Sequence, residues 1–457
     1  MGEQQAKNKW YIYFAVLSAT LVVIVTGSCF TWTSPILPKL SSFDANINPI
    51  GRPVTIGESA WIVSIMSLGL MFGPPISIVL SKYLCKKNTL LVTAFPLFIG
   101  QIICLFAHDV QYFLMARFLM GIASGAIWSV LPNYIAEISE DANRGLMGSL
   151  AGVMSTGGSL IPYVVGPHVS LKTFTIISLV PLVLYYILYG WFVPKSPYDL
   201  VINGKETEAE TSLIILRGSQ KIHKELEYIC SSVKSLDSEE GFSKLFRNPD
   251  LFRALKICVL LMAFQQFSGI QAVGSYTQLI FELSGSSISP EISAMIVGTV
   301  SLISVFISSH LIDSMGRKIL MTMSFSVSSL ALFSLSIYFY MLSHEMDVSQ
   351  IFWLPIVSVV IYMFAFNFGL GILPWVILGE LFPHNVKAAA ATIASLANFC
   401  LSFNVTVGFP YMILLLGMGG TFLTFGLVMI LGTIFCLLCV PETKGKSLGE
   451  IEKMLQS

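Results

Sequence analysis

The sequence predicts an all-α membrane protein with twelve transmembrane helices, arranged as two parallel six-helix halves joined by a helical linker. Three observations carry this. The 457 residues are 54% hydrophobic and only 11% charged, against about 25% charged in a soluble domain. Twelve apolar stretches are long enough to span a bilayer, which takes about 20 residues each. Finally, four sequence marks occur once in each half of the chain, in the same order. A large soluble all-α protein is excluded, because so oily a chain would leave no surface to face water. The formal net charge of zero gives no reason to expect a nucleic-acid partner.

Taken in order, the first span opens near Trp10 and runs to Leu37. It is too long for a signal peptide, and its end, "SPILPKL", is a poor cleavage site. Further spans begin near Ser59, Thr89, Tyr112, Arg144 and Leu171. A polar insertion follows, from about Pro194 to Asn248. The second set begins near Asp250, Pro290, Lys318, Gln350, Ala388 and Gly419. The expected divisions are 1–193 for the first half, 194–249 for the linker, 250–440 for the second half and 441–457 for a short tail.

Basic residues set the orientation. If the spans alternate, Lys7, Lys9, Lys82, Lys86, Lys87, Arg144, Arg317, Lys318, Lys387, Lys444, Lys446, Lys453 and the whole insertion fall on one side. Lys39, Arg52 and Lys172 fall on the other. Positive loops stay cytoplasmic, so both termini and the linker are expected inside a multi-pass plasma-membrane protein. None of the eight cysteines lies in an expected outer loop, so no structural disulfide is expected. The one glycosylation match, at Asn404, lies inside a span.

The repeat is specific. Arg144 follows Glu137 by seven residues, and Lys387 follows Glu380 by seven, each pair between the fourth and fifth span of its half. "PKSP" at Pro194 closes the first half and "PETKG" at Pro441 the second. "KYLCKK" (Lys82–Lys87) has its counterpart in "DSMGRK" (Asp313–Lys318). Duplicated six-span units describe a transporter class with its substrate site near the bilayer midplane between the halves.

The stretches "RFLMGIASG", "PNYIAEIS", "DSMGRK", "QQFSGIQAV", "GILPWVILGELFP" and "PETKGKSLGEIE", in this order, resemble the sugar porter family of the major facilitator superfamily. "TWTSPIL" and "EAETSLIILRG" resemble its insect branch, the facilitated trehalose transporter-like proteins. The resemblance covers nearly the whole chain. It implies the major facilitator fold, a small-molecule sugar substrate, a protein working as a monomer in the lipid bilayer, and no cofactor.

Within the seventh span, "QQFSGIQAVGSYTQ" places Gln265, Ser268, Gln271, Ser275 and Gln278 on one stripe of a continuous helix, with Gln266 beside it. Each amide facing lipid would lose about 1–3 kcal/mol for unmet hydrogen bonds, so the stripe faces protein or water. Two readings fit: glue between helices, or a wall that binds sugar hydroxyls. The resemblance selects Gln265, Gln266 and Gln271 as sugar contacts. Gly269 is expected to let the helix bend. In the tenth span, "FGLGILPW" interrupts a helix where it should line a cavity, and Trp375 offers an aromatic face and an N–H. An interfacial belt tryptophan is the other reading of Trp375. Asn398, polar within the eleventh span, is a further sugar contact by resemblance. Two of the family's contact positions align with Gly152 and Ser301, small residues in place of amides. That could mean a wider site, another substrate or lost transport.

Glu137, Arg144, Asp313, Arg317, Glu380 and Lys387 stand at the inner ends of spans and are expected to tie the two halves together as a gate. "KYLCKK" lacks the acid, glycine and arginine of its counterpart, so its latch should be the weaker. In the linker, Ile222, Leu226, Ile229, Val233 and Leu236 predict an amphipathic helix packed under the spans. Proton-coupled relatives, by resemblance, set an aspartate of the first span opposite an arginine of the fourth. Here the arginine is Arg117, the aligned residue is Thr33, and the first span holds no Asp, Glu or His. No metal-ligand cluster, activated nucleophile or phosphate loop points to an enzyme. The function expected is alternating-access sugar transport by facilitated diffusion, of a hexose or trehalose. A proton-coupled symporter and a non-transporting sugar-sensing receptor are the alternatives.

Overall fold

The computed structural model describes residues 2–140, 143–218, 222–234, 241–311, 315–444 and 446. Asp313 and Leu236 lie outside them. The described residues are helical almost throughout. The first half contains α1 (Gly2–Thr31) and its continuation α2 (Thr33–Leu40), α3 (Ile56–Tyr83), α4 (Lys86–Leu105), α5 (Val110–Ile138), α6 (Arg144–Val165) and α7 (Leu171–Ile187). Four short linker helices follow: α8 (Pro197–Ile202), α9 (Glu206–Arg217), α10 (His223–Lys234) and α11 (Gly241–Arg247). The second half contains α12 (Pro249–Phe267), α13 (Ile270–Ser275), α14 (Thr277–Leu283), α15 (Pro290–Leu311), α16 (Arg317–Ser343), α17 (Leu354–Ala365), α18 (Leu373–Leu381) and α19 (His384–Cys439).

Among the described residues, ten helical stretches are long and apolar enough to cross a membrane. Two further crossings complete the expected twelve. The Gly- and Ser-rich α6 is the fifth span, and α19 is two spans run together. At 56 residues α19 is far too long for one crossing, and Gly417 (φ 69°, ψ 172°) breaks it.

Each half has its own apolar core. Small residues set the tightest crossing. Gly69 and Gly73 of α3 lie against Gly121 and Gly125 of α5 so closely that a Cβ on any of them would collide with the other helix's backbone. Such glycine pairs let two helices approach without a hydrophobic driving force between them. Across the halves, α3 packs on α19 and α6 on α15, a symmetric exchange of the second span with the eleventh and the fifth with the eighth. The linker helices enclose a small core of their own. Ile222 and Ile229 are buried there with Leu213, and Leu226 and Val233 pack beside them. The apolar face of α10 is therefore covered by α8 and α9 instead of by the spans directly, because these neighbours supply a nearer apolar surface.

Candidate functional site

The expected continuous stripe of the seventh span is broken twice. Gly269 adopts φ 81°, a left-handed conformation open to glycine at no steric cost, and Tyr276 is non-helical (φ −114°, ψ 18°). The stripe therefore divides into two groups with different partners.

The lower group meets the interrupted tenth span. Between α17 and α18 the chain makes one wide turn, Phe366–Leu370, which leaves carbonyls without helical partners. Gln265 Nε2 donates to the carbonyls of Leu370 (2.8 Å) and Gly371 (3.2 Å). Asn398 Nδ2 donates to Gln265 Oε1 at 2.8 Å, and Gln266 Nε2 donates to Asn398 Oδ1 at 3.0 Å. Tyr362 OH donates to the Ser268 carbonyl at 3.0 Å. Gln266 Oε1 is buried and unpartnered. The side chain of Gln271, half-buried on α13, makes no hydrogen bond to a described residue. Trp375, one turn past Gly371, keeps 37% of its surface exposed. A Cβ on Gly152 would meet nothing within 4 Å, so open space lies there. Ser301 is half-buried, its Oγ donating to the Val297 carbonyl in its own helix at 2.9 Å.

The upper group joins the halves. The break at Tyr276 frees groups that a continuous helix would pair internally, and side chains of the first half take them. Tyr163 OH donates to the Gly274 carbonyl at 2.7 Å. Thr33 Oγ1 donates to the Ser275 carbonyl at 3.1 Å. The Gln278 N–H donates to Ser34 Oγ, also at 3.1 Å. Ser67 and Ser402 share a further hydrogen bond between α3 and α19 at 3.0 Å.

The charged residues on the linker side behave differently from expectation. Glu137 pairs with Lys86 at 2.8 Å and Glu380 with Arg317 at 3.0 Å. Both pairs lie within a half, not across the two. Arg144 Nε bonds the Ala136 carbonyl at 3.3 Å, and Lys387 is exposed beside Gly379. The halves are joined on the opposite side, so these partners are found among each half's own span ends. The two networks follow one plan. Ser196 Oγ, from "PKSP", donates to Glu137, and Thr443 Oγ1, from "PETKG", donates to Glu380. Neither Cys85 nor Gly316 caps the helix it precedes with a side chain. Asp199 instead accepts from the Lys86 N–H, and Glu442 from the N–H groups of Arg317 (2.9 Å) and Lys318 (3.1 Å). A carboxylate at a helix N-terminus meets its unpaired donors and its dipole. The latch expected to be weak is thus rebuilt, with Lys86 bridging Glu137 and Asp199, the latter at 2.5 Å. The sequence reading missed Ser196, Asp199, Glu442 and Thr443. The recurrence of "PKSP" and "PETKG" was the signal that could have found three of them, Ser196, Glu442 and Thr443.

Arg117 is 1% exposed. Its Nη1 donates to the Cys29 carbonyl at 2.5 Å and its Nε to that of Ile62 at 3.3 Å. The guanidinium lies 5.4 Å from the centre of the Trp32 ring. The residue opposite Arg117 is thus Trp32, one position before the expected Thr33, which turns to the other half. None of Arg117's described partners is a carboxylate.

Two duplicated halves, interrupted spans and a buried amide cluster in the second half define a membrane transporter, not an enzyme. Residues 12–455 match the family described as "Sugar (and other) transporter", and the chain belongs to that family. The facilitated trehalose transporter Tret1 of Apis mellifera ligustica is 32% identical over 451 residues, covering 96% of this chain and 87% of that protein. The Tret1-2 homolog of Drosophila simulans is 35% identical over 445 residues, covering 96% and 90%. Tret1 of Drosophila pseudoobscura pseudoobscura is 34% identical over 454 residues, but this chain, 98% of which is matched, spans only 51% of its length. Of solved structures, the partially occluded inward-open xylose transporter XylE from E. coli superposes with a TM-score of 0.80 at 23% identity, covering 96% of this chain and all of the other. At that identity the likeness is one of fold.

Proposed function

We propose that this chain carries a hexose or trehalose across the plasma membrane by facilitated diffusion, working as a monomer with its linker and both termini in the cytoplasm. The observation that carries the reading is the linked amide cluster Gln265–Asn398–Gln266 beside the interrupted tenth span. Uncharged amides both donate and accept, as sugar hydroxyls do, and Gln266 keeps a buried acceptor unmet. The names of the trehalose-transporting relatives favour trehalose among sugars. The positive-inside bias favours the orientation. In that orientation the contacts of Tyr163, Thr33 and Ser34 lie on the outer side.

The surroundings of Arg117 support facilitation. Coupling to protons needs a group that titrates within the membrane. The residue against this arginine is a tryptophan, and carbonyl oxygens hold the guanidinium. Uptake of labelled glucose and trehalose into sealed vesicles, with and without an inward proton gradient, tests both parts. Equilibration without accumulation is expected. Accumulation that a protonophore abolishes would overturn facilitation, and absence of uptake of either sugar would overturn the substrate class.

A further inference from the structure

The surface where the linker enters the second half has a composition that the transport reading does not use. Over residues 241–260 the chain carries Lys244, Arg247, Arg253 and Lys256 against the single acid Asp250. Three phenylalanines are interleaved with them. Phe242 and Phe246 are 53% and 57% exposed, and Phe252 is also exposed.

Geometry gathers these side chains around the junction of α11 and α12. Leu245 is fully buried and anchors α11 in the core of the second half. At about 100° per residue, Phe242 and Phe246 project along one flank of that anchor. Lys244 and Arg247 project on the far side. A helix with one face on protein, one flank apolar and exposed, and the remainder basic suits the plane of a membrane interface. The patch continues into the seventh span. The Phe246 and Phe252 rings are 6.0 Å apart, and the Lys256 ammonium sits 4.6 Å from the centre of the Phe252 ring. Lys256 lies about 10 Å along α12 from its start, a depth from which a lysine reaches headgroups while its stem stays among acyl chains.

We propose that this patch is a binding site for an anionic phospholipid of the leaflet on the linker side. Lys244, Arg247 and Lys256 hold the headgroup, and Phe242, Phe246 and Phe252 pack on its acyl chains. Charge complementarity selects the occupant: among the described residues of the patch three cations stand against the one acid Asp250, and a zwitterionic headgroup gains little from them. The lipid would fasten the linker to the first turns of the broken seventh span. The proposal does not depend on which sugar is carried.

Native mass spectrometry of the purified full chain in detergent, titrated with phosphatidylserine or phosphatidylcholine of identical acyl chains, tests it. Phosphatidylserine should bind more tightly, by about fivefold for each basic contact, the equivalent of about 1 kcal/mol per charge. The triple substitution Lys244→Ala, Arg247→Ala, Lys256→Ala should reduce phosphatidylserine binding to the phosphatidylcholine level. The charge-conserving set Lys244→Arg, Arg247→Lys, Lys256→Arg should keep the preference, which separates lost headgroup contact from misfolding. Phe242→Ser with Phe246→Ser should weaken both lipids alike. Equal affinity of the native chain for the two lipids would overturn the proposal. So would undiminished phosphatidylserine binding by the alanine triple.

Discussion

Gln265 shows how much one side chain is asked to hold. Its amide nitrogen satisfies two carbonyls freed by the turn in the tenth span, and its amide oxygen accepts from Asn398. Gln265→Ala would strand those groups in a low-dielectric interior. The expected loss in sugar binding is about 1–3 kcal/mol, with surface expression retained. Trp375→Ala removes an exposed ring face and should weaken binding by a similar amount, about 1–3 kcal/mol, without loosening the tenth span. Saturation kinetics of uptake check both, and normal kinetics in either variant would remove that residue from the site. At Gly152 the relevant quantity is space. Because open volume lies where a Cβ would stand, Gly152→Gln is expected to fold and to depress disaccharide uptake more than hexose uptake. Equal inhibition of the two would separate this gap from sugar size.

At the scale of elements, the seventh span depends on one glycine. Gly269 has φ 81°, and a Cβ on it would overlap the Phe425 ring. Gly269→Ala should cost about 1–3 kcal/mol through strained backbone and more if Phe425 cannot turn aside. A lowered melting temperature of the detergent-solubilised protein is the readout, and an unchanged one would mean that the break relaxes to ordinary helix. The end networks offer a second test. Lys86 bridges two carboxylates while only 21% of its own side chain is exposed. Removing one partner of such a cluster leaves uncompensated charge behind. Lys86→Ala should therefore destabilise more than Lys86→Arg, which restores the bridge. Melting temperatures that do not distinguish the two would show that solvent screens the cluster.

For the whole molecule, the two sides of the bilayer are unequal. On the side opposite the linker, first-half side chains complete the break between α13 and α14. On the linker side the charges of Glu137 and Glu380 are met within their own halves. A net hydrogen bond contributes about 1 kcal/mol. Tyr163→Phe should therefore shift the balance toward the form opened opposite the linker by about fivefold. Modification of a cysteine introduced at Gly152 by membrane-impermeant reagents, applied from each side in turn, reads that shift. An unaltered ratio of rates would show that the Tyr163 hydroxyl does not help hold this side closed.

Some of this was decided by the sequence alone. Composition and span length settle the membrane class, because bilayer thickness is a local demand on each helix. The recurring marks give the duplication, and the glycines and proline of "FGLGILPW" locate the interruption of the tenth span, since those residues act on their own backbone. The amides of "QQFSGIQAV" were legible as a polar surface for the same reason. What they bond was not, because a stripe drawn on an ideal helix assumes straightness, and the breaks at Gly269 and Tyr276 sent its two ends to different partners. Only the tertiary structure placed Trp32 and not Thr33 against Arg117, since a one-residue difference turns a side chain by about 100°. Only it matched Asp199 to Lys86, 113 residues apart, and kept Glu137 and Glu380 within their halves. Those pairings depend on which helix ends meet in space, and spacing along the chain carries no record of that.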